Sequence, residues 1–295
     1  MTTSASTLTE RELAQIADIN RSERPPVVFV HGLWLLAGSW TPWEELFTAR
    51  GYAPLSIDWP GDPATVDQAR QNPQAFAGTS VQDVVARVEA VIDRLDRPPV
   101  VIGHSFGGLV AQIVAGRGAV AAAVAIDPAP FKGILGLSRS VVKSSMPVLG
   151  NPRNRRRAVT LTPSQFTYAF ANAVSGDEAQ ALYDVFHVAA PGRPVFQVAF
   201  ANLSFSRATK VDTRNPERGP LLIVSGGADH TVPPKLARAA HRKQSRNPGR
   251  TDLLEIEGAG HSLVIDGRWR KVAEGVARFV DDTVPSERPS EFRRA

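Results

Sequence analysis

The sequence predicts an α/β protein in which a mostly parallel sheet is joined by crossover helices. Three observations carry this. Short runs of apolar, β-branched residues alternate with longer amphipathic stretches. Gly and Pro punctuate the joins between them. The 295 residues, 43% hydrophobic and 21% charged, suffice for one large core-bearing unit.

Taken in order, an N-terminal helix is suggested at Leu8 to Ile19, and Pro26 to Val30 is the first clear strand, ending at His31-Gly32. Thr41-Pro42-Trp43-Glu44-Glu45 opens a helix with Thr41 as N-cap, Pro at the first helical position and acids in the first turn, closed by Gly51. A strand follows over Ala53 to Asp58. A Pro- and Gly-rich loop runs to Gly78, and Ser80 to Leu95 is an amphipathic helix turning Val84, Val88, Val91 and Ile92 inward. Pro99 to Ile102 is a strand, Gly103 to Gly108 a sharp turn, Leu109 to Ala115 a helix and Val120 to Ile126 a further strand stopped by Asp127-Pro128.

From Phe131 to Gly219 the strand rhythm disappears, and helices are expected at Pro163 to Val174, Gly176 to Val188 and Arg193 to Leu203, as an inserted helical lid. Strands resume at Leu221 to Ser225 and Asp252 to Ile256, with helices at Pro234 to Gln244 and Arg268 to Asp282. The expected division is a core of residues 25–130 and 220–282, a lid of 131–219, an N-terminal helical extension of 1–24 and a disordered polar tail of 283–295.

Composition excludes several chemistries. With no cysteine there is no disulfide, no Cys-based metal site and no thiol nucleophile. No 18 apolar residues run together and the N-terminus lacks a signal-peptide core, so a soluble, cytoplasmic protein without stable membrane insertion is expected. The charge of +5 comes from 28 Arg and 6 Lys against 29 acids. The run Arg153, Arg155, Arg156, Arg157 reads as a solvated loop, with attraction to anionic lipid or a partner as the alternative. No aromatic-basic interleaving points to nucleic acid, and no His-x-x-x-His or acidic cluster points to a metal.

Gly103-His104-Ser105-Phe106-Gly107 has the Gly-x-Ser-x-Gly pattern of a nucleophile elbow, between a strand and a helix. Side chains at 103 and 107 would clash in so strained a turn, while Ser105 is lifted above the sheet edge. The free N–H groups of the following helix point toward developing negative charge. A serine hydroxyl needs a base and the base an orienting acid. Among six histidines, His261 follows a strand on a Gly-x-Gly hinge at the carboxyl end of the sheet, where ligands gather. His31 and His104 read as structural, His187 and His241 as solvent-exposed. Two acids follow strands in the order Ser, Asp, His: Asp229, in a turn of small residues, and Asp127, before a Pro. Asp229 is preferred and Asp127 stays open.

Over about Pro25 to Asp282 this constellation resembles the α/β-hydrolase fold superfamily, in its serine esterase, lipase and cofactor-free haloperoxidase branch. The resemblance implies an oxyanion hole at the backbone N–H groups of Leu33, in His31-Gly32-Leu33-Trp34, and Phe106. No cofactor is expected. Ser at 105 rather than Asp argues against a haloalkane dehalogenase or epoxide hydrolase. With about two dozen residues before the first strand, the two leading antiparallel strands of the full pattern are expected to be missing or replaced by the helix at Leu8 to Ile19.

The function expected is hydrolysis of a small to medium apolar carboxylic ester by a monomer or homodimer. Trp34, Trp59, Phe166, Phe170 and Phe186 are candidates to line the substrate pocket. The alternatives are hydrolysis of a lactone or a carbon–carbon bond, a perhydrolase or haloperoxidase-like activity, and a non-catalytic ligand receptor.

Overall fold

In a computed structural model, which describes residues 7–136 and 138–286, the apolar runs become strands of one sheet. The elements are α1 (Glu10–Arg21), β1 (Pro26–Val30), α2 (Thr41–Ala49), β2 (Ala53–Ile57), α3 (Val66–Gln71), α4 (Val81–Ile92), β3 (Val100–His104), α5 (Phe106–Ala115) and β4 (Ala122–Ile126). There follow α6 (Arg139–Leu149), β5 (Ala158–Val159), α7 (Pro163–Ala169), α8 (Gly176–Phe186), β6 (Ala190–Pro191), α9 (Arg193–Ala199), β7 (Leu221–Gly226), α10 (Pro234–Gln244), β8 (Thr251–Ile256) and α11 (Trp269–Thr283).

The main sheet has six strands in the order β2-β1-β3-β4-β7-β8, each neighbouring pair parallel. No antiparallel strand joins it among the described residues; β5 and β6 form a separate antiparallel pair. Strands β1, β3 and β4 are buried along their whole length, as expected of a sheet covered on both faces. Val28 and Val30 of β1 face one hydrophobic cluster with Val84, Val88, Leu109 and Val110, whereas Val27 and Phe29 face the other, with Trp43, Phe47, Val272 and Val276.

Most elements start where local chemistry dictates. Ser80 closes a capping box with Asp83 on α4, and Val84, Val88 and Val91 are fully buried, while Ile92 is only partly so. Several expectations need correction. Thr41 is the first helical residue rather than the N-cap, because a 3₁₀ turn over Ala37–Trp40 precedes it and its hydroxyl donates to the Gly38 carbonyl at 3.0 Å. α7 and α9 end at Ala169 and Ala199, four or five residues early. Two helices were not expected. α3 is capped by Thr65 and carries Arg70, which donates to the carbonyls of Tyr183, Asp184 and His187 at the end of α8; α6 is capped by Ser138 and contains Pro147. The expected tail falls outside the described residues from 287 on. Its first residues are held, since Tyr52 donates to the Val284 carbonyl and Ser286 to that of Arg50.

α1 packs on β2. Buried Glu12 binds Arg87 Nη2 at 2.8 Å, the Thr9 N–H at 2.7 Å and the Asp58 N–H at 3.3 Å. Glu12→Ala leaves the Arg87 charge buried without its partner and is expected to cost about 3–5 kcal/mol, read as a lower urea midpoint. A loss below about 1 kcal/mol would show that this end of the chain contributes little.

No helix of the described residues is long and apolar enough to cross a membrane. Strand order reverses between β1, which turns to β2, and β3, which turns to β4. The loops after β1 and β3 therefore flank the crevice at the carboxyl ends of the strands, where open α/β sheets bind ligands.

Candidate active site

Ser105 is the single residue between β3 and α5, with φ +55° and ψ −116°. A non-glycine residue in this region is strained and persists only where its surroundings enforce it. The enforcement is visible. A Cβ at Gly103 would lie 2.0 Å from the Gly107 carbonyl oxygen, and one at Gly107 would lie 2.0 Å from that of Val30. Only glycine lets the turn close. The Ser105 N–H donates to Ile126 at 2.8 Å, and its carbonyl accepts from Leu109 and Ala129.

Ser105 Oγ is 2.9 Å from His261 Nε2, and His261 Nδ1 is 2.6 Å from Asp229 Oδ2. Asp229 Oδ1 accepts from the N–H groups of Thr231 and Val232 at 2.6 and 2.9 Å. An ionised carboxylate only accepts, so it places the imidazole proton on Nδ1 and leaves Nε2 to take the serine proton. All three residues are buried, Ser105 being 4% exposed.

It is Asp229, not Asp127, that is hydrogen-bonded to His261. Asp127 Oδ1 accepts instead from the Gly226 N–H at 2.7 Å. Burial, then the neighbouring Asp229 charge, pushes the Asp127 carboxyl well above the usual carboxylate range. Asp127, Asp229 and His261 are the one grouping of metal-ligand type among the described residues, with one atom of each within 4.8 Å of the others. Two of its atoms, His261 Nδ1 and Asp229 Oδ2, are already hydrogen-bonded to each other, so the set is not an open group of donors.

The other histidines support the site or lie away from it. His104 Nε2 donates to the His261 carbonyl at 3.0 Å and holds that loop; burial and the adjacent His261 drive its pKa well down, so the ring is neutral. His31 Nδ1 faces the Gly32 carbonyl and Nε2 faces Asp62, both at 2.8 Å. Both partners accept, so both nitrogens donate. Burial opposes the charge, but Asp62 and the Gly32 carbonyl outweigh it and raise the His31 pKa above its ordinary 6.5. Burial also raises the Asp62 carboxyl, so the pair is charged only above the range where Asp62 takes up its proton. Above that range the stabilisation His31 draws from it is present at about pH 6 and fades as pH rises through the higher folded value of the ring. Wild type is expected to exceed His31→Gln in melting temperature by more at about pH 6 than at about pH 9, and an equal gap at both would contradict a charged ring.

His187 and His241 depart from expectation. His187 is buried between Phe166 and Tyr183, accepts from the Leu161 N–H at 3.3 Å, and is held at about pKa 4 by burial and Arg70. His241 is half-buried, with Nε2 3.3 Å from the Thr251 carbonyl.

Among the described residues no hydrogen bond uses the N–H of Leu33 or Phe106. The latter is the first N–H of α5, beside Ser105. The aromatic candidates divide. Phe170 lies edge-on to the His261 ring at 4.8 Å, and Phe166 stacks on Phe170 at 5.1 Å. Trp34 is held to the segment inserted between β4 and β7, its indole donating to the Val159 carbonyl and its own carbonyl accepting from Val188. Trp59 stacks on His31 and donates to its carbonyl. Phe186 is half-buried against the main cluster. Sequence reading missed Asn172, whose amide donates to Ala228, and Thr231, which donates to Ala169; these tie the end of α7 to the Asp229 turn.

The alpha/beta hydrolase family matches residues 27–275 of the sequence. No curated protein matches the chain. Among solved structures, the monoacylglycerol lipase of Paleococcus ferrophilus is similar with a TM-score of 0.64 at 23% identity, covering 88% of this chain and 96% of that one. A thermophilic esterase from Thermogutta terrifontis gives 0.63 at 18% identity, covering 88% and 90%. A candidate non-haem bromoperoxidase from Mycobacterium tuberculosis gives 0.60 at 21%, covering 88% and 92%. At these identities the likeness is one of fold.

Proposed function

The chain belongs to the alpha/beta hydrolase family, and on that premise we propose that it is a serine hydrolase cleaving small to medium apolar carboxylic esters. The observation that carries this reading is the continuous hydrogen-bonded chain from Ser105 through His261 to Asp229, while the backbone N–H groups of Leu33 and Phe106 are uncommitted among the described residues.

In this reading His261 Nε2 takes the Ser105 proton as Oγ attacks the ester carbonyl carbon. The carbonyl electrons move to oxygen, and the N–H groups of Leu33 and Phe106 stabilise that oxyanion, with the positive end of α5 behind Phe106. Collapse breaks the bond to the alkoxy oxygen, which leaves with the proton from His261. Water then attacks the acyl-serine, giving its proton to His261, and the carboxylic acid departs as Ser105 regains its hydrogen. Asp229 stays ionised and holds the imidazolium in place.

The ring of Phe170 against His261, with Phe166 behind it, supports an apolar acyl or alkoxy group. The test is hydrolysis of p-nitrophenyl acetate, butyrate and octanoate, with lactones and β-diketones as controls. Saturable ester hydrolysis with an initial burst supports the proposal; turnover confined to lactones or diketones, or none with any ester, contradicts it.

A further inference from the structure

The charge of this protein is unevenly placed. Residues 131–219 hold 12 Lys and Arg against 5 acids, an excess of 7, while the remainder has 22 against 24, a deficit of 2. Residues 131–176 contain seven basic side chains and no acid, and the acids of the insertion are confined to α8 and to 212–217. The whole net charge therefore belongs to the helices inserted between β4 and β7.

The same region holds most of the large apolar side chains that stand in water. Leu203 is 83% and Phe205 104% exposed, and Leu135, Val142, Met146 and Phe200 are also exposed. Hydrogen bonds gather them. Lys132 Nζ donates to the carbonyls of Ser204 and Ser206, the Gly133 N–H to Asn202 Oδ1, and Asn202 Nδ2 to the Ile134 carbonyl, which sets Leu135 beside the Leu203–Phe205 turn. α6 begins four residues after Leu135 and packs against α9. Its outer face offers Val142 and Met146 in an open apolar groove edged by Arg139 and Lys143.

We propose that this face docks on an anionic lipid bilayer, with Leu203 and Phe205 entering the acyl region and Arg139, Lys143 and Arg207 meeting headgroup phosphates. Apolar tips that project fully into solvent suit a fluid layer that closes around them, and a rim of one sign supplies the electrostatic attraction. A second copy is disfavoured as the occupant, because it would bring the same positive excess to the contact. Docked in this way, the insertion meets apolar esters dissolved in the bilayer. That consequence rests on the ester-hydrolase reading, whereas docking does not.

The experiment is co-sedimentation of the full chain with sucrose-loaded vesicles, of phosphatidylcholine alone or with about 30% phosphatidylglycerol, in about 0.1 M and 0.5 M NaCl. Binding is read directly, so its failure is distinct from a failure of the esterase reading. Partition to anionic vesicles only, weakened by salt, is expected. Leu203→Asp with Phe205→Asp, and separately Arg139→Glu with Lys143→Glu, is expected to weaken partition at least about tenfold while vesicle-free p-nitrophenyl butyrate hydrolysis is unchanged. No partition of wild type to anionic vesicles, or equal partition of wild type and variants, overturns the proposal. So does a wild-type dimer in light scattering that Leu203→Asp with Phe205→Asp splits.

Discussion

Ser105→Ala is expected to lower the turnover of p-nitrophenyl butyrate by about 10⁶-fold, leaving only what the oxyanion donors and binding supply. The expectation follows from geometry. Ser105 Oγ is the one atom of the relay able to form the acyl bond, and it sits 2.9 Å from the base on a turn whose strain is enforced by two glycine contacts. Alanine keeps the backbone, because the N–H and carbonyl bonds that hold residue 105 in place involve no side-chain atom. Circular dichroism and the melting temperature should therefore match wild type. Activity within about tenfold of wild type would place the nucleophile elsewhere.

Asp229→Asn is expected to cost about 10⁴-fold in turnover, because an amide can donate to Nδ1 and hold the ring in the tautomer that blocks Nε2 from accepting. Asp127→Asn is expected to cost less than about tenfold, since burial and Asp229 disfavour the charged carboxylate at 127 and an amide resembles the uncharged form. Its oxygen can still accept from the Gly226 N–H. The pair of measurements separates the two carboxyls. Reversed magnitudes would show that Asp127 orients the base, and two small effects would remove the acid from the mechanism.

What the sequence revealed about this site follows from how local each feature is. The elbow was legible because its glycines, the serine and the following helix lie within one short stretch, and the clashes expected at 103 and 107 are those found. The choice between Asp229 and Asp127 was not fully legible, since both follow strands in the same chain order. Strand order decides it: β7 and β8 are neighbours, so the loops carrying Asp229 and His261 lie side by side, while Asp127 turns to the Gly226 N–H.

Features that rest on distant partners left little local signal. Asp62 lies 31 residues from the His31 ring it holds. α3 hid in a Gly- and Pro-rich loop and is anchored through Arg70 to carbonyls more than 110 residues away. Pro147 disguised α6, although the Ser138 cap was there to be read. His187 reads as solvent-exposed because it lies in the inserted segment, whose local sequence says nothing of Phe166 and Tyr183 closing around it.

Fluorophosphonate labelling followed by peptide mass spectrometry tests the central assignment most directly. The account predicts one adduct, on the peptide containing Ser105, formed by wild type, slowed in His261→Ala and absent from Ser105→Ala. An adduct on another residue, or labelling of Ser105→Ala at the wild-type rate, would contradict it.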